Sequence, residues 1–165
     1  MIPEELPGLL HSIALRLDDA GARTEALARL GRRRRILGVG GGPVFEPLGR
    51  VWRLGVLLLG TDGALHAAGA VTRAAEERQH GWTAVSAAER SAVRALAAQT
   101  FPVGETVNYE TRPLRTAVDD SGALDAPLRI VDGEVRVEWA PGQHPVDLAA
   151  YLRERAELLL VHPEV

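Results

Sequence analysis

The residues of this chain that could do chemistry are arginines, histidines, carboxylates and a few hydroxyls, because the sequence contains neither lysine nor cysteine. That absence excludes Schiff-base and pyridoxal chemistry, Walker-A and kinase phosphate sites, Ser-x-x-Lys acyl enzymes, thiol proteases and cysteine-ligated zinc. The histidines are His11, His66, His80, His144 and His162, and no two stand three to five residues apart, the spacing of a helical metal pair. No metal site and no cofactor is expected. Ser86 suits a helix cap and Ser12 sits inside a helical pattern, so no serine lies in a nucleophile elbow. Gly38 to Gly42 lack the spacing and the following helix of a phosphate loop, and Pro43 follows directly, so they read as a loop.

Two constellations remain. Arg32, Arg33, Arg34 and Arg35 are four adjacent guanidiniums beside glycines, able to grip phosphate bidentately, although such a run is ordinarily a solvated segment. No aromatic residue interleaves with them to stack bases, so nucleic acid is not an expected partner. The second set is Arg53, His66 and Glu105, with Thr72 beside Arg53. Arg53 would bind a small anion while His66 or Glu105 moves a proton, burial and charge partners tuning their pKa values. The competing reading is a structural Arg53–Glu105 ion pair.

The elements that must position these residues follow from periodicity and turn chemistry. Leu6, Leu9, Leu10, Ile13, Ala14 and Leu17 mark one face of an amphipathic helix, which starts between Pro3 and Pro7 and ends at Asp18, Asp19 and Gly21. Thr24 caps a second, shorter helix carrying Leu27 and Leu30, and the stretch ILGVGGGPVFEP is a loop or irregular edge strand. Asp62-Gly63 suits a two-residue type I′ turn joining two apolar strands, with Leu59 opposite His66, Leu57 opposite Ala68 and Arg53 opposite Thr72. This register puts Trp52, Leu54, Val56 and Leu58 on one face with Leu65, Ala67 and Val71. Arg53, Gly55, Leu57 and Leu59 then share the other face with His66, Ala68, Ala70 and Thr72.

After a connector with Arg78, His80 and Trp82, Ser86 and Glu89 form a capping box for a helix to about Gln99, with Ala92, Val93 and Leu96 inward. A strand follows, with Val103, Val107 and Tyr109 on its apolar side, Glu105 falling there too, and Thr106, Asn108 and Glu110 opposite. A second hairpin turns at Asp132-Gly133, with Leu128, Ile130, Val135, Val137 and Trp139 inward and Arg129, Glu134, Arg136 and Glu138 outward. Pro145 and Asp147 open a last helix that buries Leu148, Tyr151, Leu152 and Leu159.

These elements predict an α+β fold, an antiparallel sheet built from two β-hairpins plus a further strand and packed against several helices. The 165 residues suit one domain, 1–165, with 1–30 an N-terminal helical segment. The net charge of −3 gives no global pull toward nucleic acid or anionic membrane. Polar residues interrupt every apolar run well before the roughly 20 residues of a membrane span, so a cytoplasmic protein without membrane contact is expected. Leu158, Leu159, Leu160 and Val161 cover most of a helical turn, more than one core-facing stripe can hide, and predict a homodimer.

The segments VWRLGVLLLG, DGALHAAGAVTRA and GETVNYETRPL together resemble an uncharacterised family of small proteins of high-GC bacteria, sometimes labelled glutaminase. The resemblance extends from the arginine-rich segment to the last helix and implies a shared compact fold. Serine-dependent glutaminases use Ser-x-x-Lys on a much larger domain. A lysine-free chain cannot supply that motif, so no catalytic residue carries over. Three functions follow in order: a non-catalytic binding or self-associating module, a small-molecule enzyme of hydrolase or proton-transfer type using Arg53, His66 and Glu105, and a phosphate or RNA binder through Arg32 to Arg35. The partners expected are a second copy of the chain and a small anionic ligand.

Overall fold

A computed structural model describes residues 1–32, 41–76, 85–118 and 122–161. Their elements run α1 (Leu6–Asp19, preceded by a 3-10 turn), β1 (Glu25–Arg32), β2 (Pro43–Leu54), β3 (Leu57–Gly60), β4 (Leu65–Ala67) and β5 (Ala70–Arg73). Next come α2 (Val85–Ala98), β6 (Thr106–Tyr109), β7 (Arg112–Pro113), β8 (Leu128–Val131), β9 (Glu134–Val137), β10 (Val146–Asp147) and α3 (Leu148–Val161). The fold is α+β, with a seven-stranded sheet in the order β5-β6-β1-β2-β3-β4-β7 and a three-stranded sheet in the order β10-β9-β8. The expected single antiparallel sheet of two hairpins and one more strand is corrected, since β1 and β6 pair in parallel. The chain divides into two compact units, one of residues 1–24, 51–68 and 112–165, the other of 25–50 and 69–111.

In the first unit, α1 buries Leu6, Leu10, Ile13 and Leu17, the stripe its periodicity predicts. Its end is closed by Gly21 at φ 62, with Gly21 N–H donating to Asp18 O and Ala22 N–H to Leu17 O, both at 2.9 Å. This pair of bonds is a Schellman motif, which satisfies carbonyls the helix leaves open. The helix packs into a core with Trp52, Leu54, Leu57, Leu59, Leu65, Val135, Val137, Leu148 and Leu152.

The run VWRLGVLLLG, expected as one strand, is two. Leu54 pairs with Leu57 and Trp52 with Leu59, so β2 turns into β3 through Gly55-Val56. Gly55 has φ 69 and Val56 is not left-handed, the type II′ combination in which glycine takes the first central position. The Val56 N–H donates to Tyr151 Oη at 3.0 Å, so α3 latches the turn.

The next turn is also longer than predicted. Leu59 pairs with Leu65, Leu58 with His66 and Leu57 with Ala67, one residue out of the expected register. Gly60 N–H donates to Ala64 O at 2.7 Å and Gly63 N–H to Gly60 O at 2.9 Å, with Gly63 at φ 84, the signature of a three-residue loop closed by a left-handed glycine. Asp62 Oδ1 accepts the Ala64 N–H at 3.0 Å and holds the longer loop. The turn at Gly55-Val56 reverses the faces of β3 against β2, so Leu57 and Leu59 join Trp52 and Leu54 while Leu58 joins Arg53, and the extra loop residue shifts β4 so that His66 falls opposite Leu58.

The second hairpin forms as predicted, with Val131 opposite Glu134 and Ile130 opposite Val135. Asp132 and Gly133 have φ 52 and 78, as a type I′ turn requires. Leu128, Val135 and Val137 are buried, whereas Trp139, expected inward, lies beyond β9 and is 45% exposed. Asp147 Oδ1 accepts the Ala150 N–H at 2.7 Å and caps α3. That helix buries Leu148, Ala149, Tyr151, Leu152 and Ala156.

In the second unit, residues 25–32 are strand, not the short helix expected within 1–30. β1 lies between β6 and β2, paired along both edges, and the consecutive residues Ala26, Leu27 and Ala28 are all buried, so both its faces are covered there. Pairing on two sides overrides a weak local helical pattern. β2, expected as a loop or edge from its opening residues, is an interior strand that buries Phe45. α2 begins by Val85, so Ser86 lies inside the helix instead of capping it, and Ala97 is buried where Ala92 is exposed. Ala26, Ala28, Phe45, Ala74, Ala97 and Val107 form the core, with Val93, Leu96 and Tyr109 against it. Tyr109 meets Phe45 edge to face with ring centroids 5.2 Å apart. Asn108, predicted on a polar face, is wholly buried, because that face is also covered; its Nδ2 donates to Glu25 Oε2 at 2.7 Å and to Ala26 O at 3.2 Å.

Candidate functional site

Of the residues that sequence grouped, Arg53 and His66 belong to one unit and Glu105 to the other. Arg53 lies opposite Leu58 on β2 and His66 opposite the same Leu58 on β4, so the two share a sheet face with a buried leucine between them. Thr72 pairs with Val107 on β6 and not with Arg53. Glu105 belongs to the other unit, where its Oε1 lies 3.1 Å from Arg50 Nη1. An arginine–Glu105 ion pair therefore exists, with Arg50 in the place expected for Arg53. Burial pulls the His66 imidazole below its ordinary pKa, opposed by the negative charge of Asp62, and its Nδ1 is buried without a hydrogen-bond partner. A neutral imidazole follows at pH 7. Arg32 is exposed at the end of β1, while Arg33, Arg34 and Arg35 fall outside the described residues, as do Arg78, His80 and Trp82. Among the described residues, no three histidine or carboxylate groups converge to hold a metal.

A different place gathers polar groups. In the second unit, a groove of about 450 Å³ runs between α2 and the β5–β6 pair. From α2 come Ser86, Glu89, Arg90, Val93 and Arg94, whose spacing of three and four residues puts them on one helix face. From the strands come Val71, Thr72, Arg73, Thr106 and Tyr109. Among the described residues, three guanidiniums thus face one carboxylate, Glu89. Arg73 Nε donates to Gly104 O at 3.1 Å, which fixes its guanidinium, and among the described residues neither Arg90 nor Arg94 forms an ion pair. The Ala75 N–H donates to Arg94 O at 3.2 Å and ties the end of β5 to the helix. Burial, assisted by the charge of Glu110, raises the Tyr109 pKa, so the phenol stays protonated and able to donate. Val71, Val93 and the Tyr109 ring supply apolar wall. Positive charge, hydroxyl donors and an apolar wall together suit an anionic group carried on an apolar body.

Arg90 and Arg94 stand an i, i+4 step apart, a signal present in the sequence, but Arg73 joins them only through the folding of β5 against α2. No family model, curated protein or solved structure matches the chain.

Proposed function

We propose that this chain is a non-catalytic binding module whose ligand presents a small anionic group to the groove between α2 and β5–β6. The observation that carries the reading is the convergence of Arg73, Arg90 and Arg94 with Thr72, Ser86, Thr106 and Tyr109 around one cavity. Guanidiniums with hydroxyl donors recognise phosphate or carboxylate, and among the described residues no histidine lines this groove to act as base toward its hydroxyls. Calorimetry with phenyl phosphate tests it. Binding should weaken by roughly tenfold or more in Arg90→Gln/Arg94→Gln, as loss of charge-assisted hydrogen bonds requires. Absence of binding, or equal binding by the variant, refutes the reading, and release of phenol would favour the enzyme alternative. That alternative, on Arg53, His66 and Glu105, has less support because Glu105 already pairs with Arg50.

Self-association is the companion proposal. Leu159 and Leu160 pack against their own core, whereas Leu158 and Val161 are 44% and 69% exposed on the last turn of α3. A two-fold pairing of α3 with its copy would cover them. Light scattering at micromolar concentration should give a dimeric mass that becomes monomeric in Leu158→Glu; a monomeric wild-type mass refutes it. We also propose a fold in common with the uncharacterised family named above, since Gly55 and Asp62-Gly63, which make the turns of β2–β3–β4, lie within the resembling segments. Among the described residues no helix is long and apolar enough to cross a membrane.

A further inference from the structure

The groove lines up with the open edge of a sheet. β5 is the terminal strand of its sheet, and among the described residues no strand lies beyond it. Side chains of a strand alternate between faces, yet three consecutive residues, Val71, Thr72 and Arg73, line the one cavity. The cavity therefore follows β5 and its neighbour β6, and β5 borders it with an open edge, where backbone groups point. Their direction follows from the ladder. Ala74 N–H donates to Glu105 O at 2.9 Å, and Thr72 and Ala70 lie opposite Val107 and Tyr109. Alternation in an antiparallel pair therefore turns the N–H and C=O groups of Ala70, Thr72 and Ala74 toward β6, and those of Val71 and Arg73 outward into the groove.

We infer that the groove accepts an extended acidic peptide, which adds to β5 as a further strand beneath α2. The inference rests on the anion-binding reading and gives the anion a carrier. Backbone groups of Val71 and Arg73 would pair with the peptide's main chain, the general mode of strand addition to a sheet edge. The guanidiniums set the charge of the partner. A peptide side chain beside Arg73 lies on the face away from α2, and the next one lies on the face toward Arg90 and Arg94, so carboxylates on either face meet a cation. Val71 and Val93 add apolar lining for the stem of such a side chain. Glu89 opposes the placement of a carboxylate at its own end of the groove.

The test uses fluorescence polarisation with a fluorescein-labelled hexapeptide of alternating glutamate and valine. Two further versions carry N-methyl groups on alternate backbone nitrogens, one on each set, and a third has glutamine for glutamate. In a strand only one set of N–H groups faces β5. One N-methylated version should therefore bind roughly tenfold or more weakly and the other within about twofold of the parent, since each blocked hydrogen bond is lost whole. The glutamine version and the Arg90→Gln/Arg94→Gln protein should each weaken binding by roughly tenfold as well. Equal effects of the two N-methyl sets would reduce the contact to charge and overturn strand addition. If phenyl phosphate binds in an arginine-dependent way and the hexapeptide does not, the peptide inference fails while the anion reading stands. If neither binds, both fail. Arginine-dependent binding of a uridine decanucleotide in place of the hexapeptide would give the groove to a phosphate backbone and overturn the peptide.

Discussion

Replacing Gly55 with alanine should be among the most damaging single-methyl additions to this chain. A Cβ at that position would sit 2.0 Å from Tyr151 Oη and 3.1 Å from Cζ, far inside contact distance. The phenol cannot easily retreat, because Tyr151 is only 6% exposed and Arg155 lies over its ring, 5.2 Å from the centroid. Three costs combine: a left-handed backbone for an L-residue, overpacking against a buried ring, and loss of the Val56 N–H to Tyr151 hydrogen bond. At about 1–2, 1–3 and 1 kcal/mol these put Gly55→Ala at about 3–6 kcal/mol destabilising. Tyr151→Phe alone should cost about 1 kcal/mol, the net worth of one hydrogen bond. In the Tyr151→Phe background the closest atom is gone, so Gly55→Ala should cost about 1–2 kcal/mol less there than in wild type. Urea unfolding followed by tryptophan fluorescence, with Trp52 buried in the same core, gives the four midpoints of the cycle. A coupling below about 0.5 kcal/mol, or a near-neutral Gly55→Ala, would refute the latch between α3 and the turn.

Leu58→Ala should destabilise by about 2–5 kcal/mol, since Leu58 is wholly buried; a wild-type denaturation midpoint would contradict its burial on the Arg53 face. His66 has a folded-state pKa below its unfolded one, so the unfolded chain takes up the proton first as the solution is acidified. Stability should therefore fall as pH drops below about 6.5, until folded His66 also protonates, and His66→Gln should flatten that slope in thermal unfolding; an unchanged slope removes His66 as its cause. The Arg115 guanidinium and backbone N–H hold Asp125 near a pKa of about 2. Its stabilising effect is present above the ordinary carboxylate range and lost as pH falls toward 2. Carboxyl NMR titration should show Asp125 rising toward that range in Arg115→Met, and an unmoved titration would exclude the contact.

Local signals were enough for some elements. The α1 stripe, the Asp132-Gly133 hairpin and the Asp147 start of α3 each depend on residues within a few positions of one another, so periodicity and turn chemistry reveal them. β1 is illegible for the opposite reason: Leu27 and Leu30 suit a short helix, and only its neighbours β6 and β2 settle it as a strand. Gly55 sits within a continuous apolar run, where a glycine reads as a flaw in one strand, and its turn becomes apparent only with Tyr151 behind it. That turn reverses three leucines against β2, and one added loop residue at Asp62-Gly63 shifts β4 to match. At the candidate site, the helical pair Arg90 and Arg94 is visible in the spacing, but Arg73 and the open edge of β5 depend on tertiary pairing. For Glu105 the structure supplies a partner that sequence reading did not name, Arg50, three residues before Arg53 on the same strand.

The interleaving of the two units along the chain sets an order of birth. On a ribosome, the pieces 25–50 and 69–111 are both made before residue 112 appears, so the groove-bearing unit has its whole sequence first. The other unit opens with α1 yet needs α3, whose residues come more than a hundred positions later, to complete its core. Through most of synthesis the Leu6, Leu10, Ile13 and Leu17 stripe has only part of its final core, from Trp52 to Leu65, and its remainder is exposed to mispairing or to a holdase. Contacts of such long sequence separation also slow the search in free solution. A cut between residues 111 and 112 would thus part α1 from α3 while leaving every residue of the groove on the N-terminal piece.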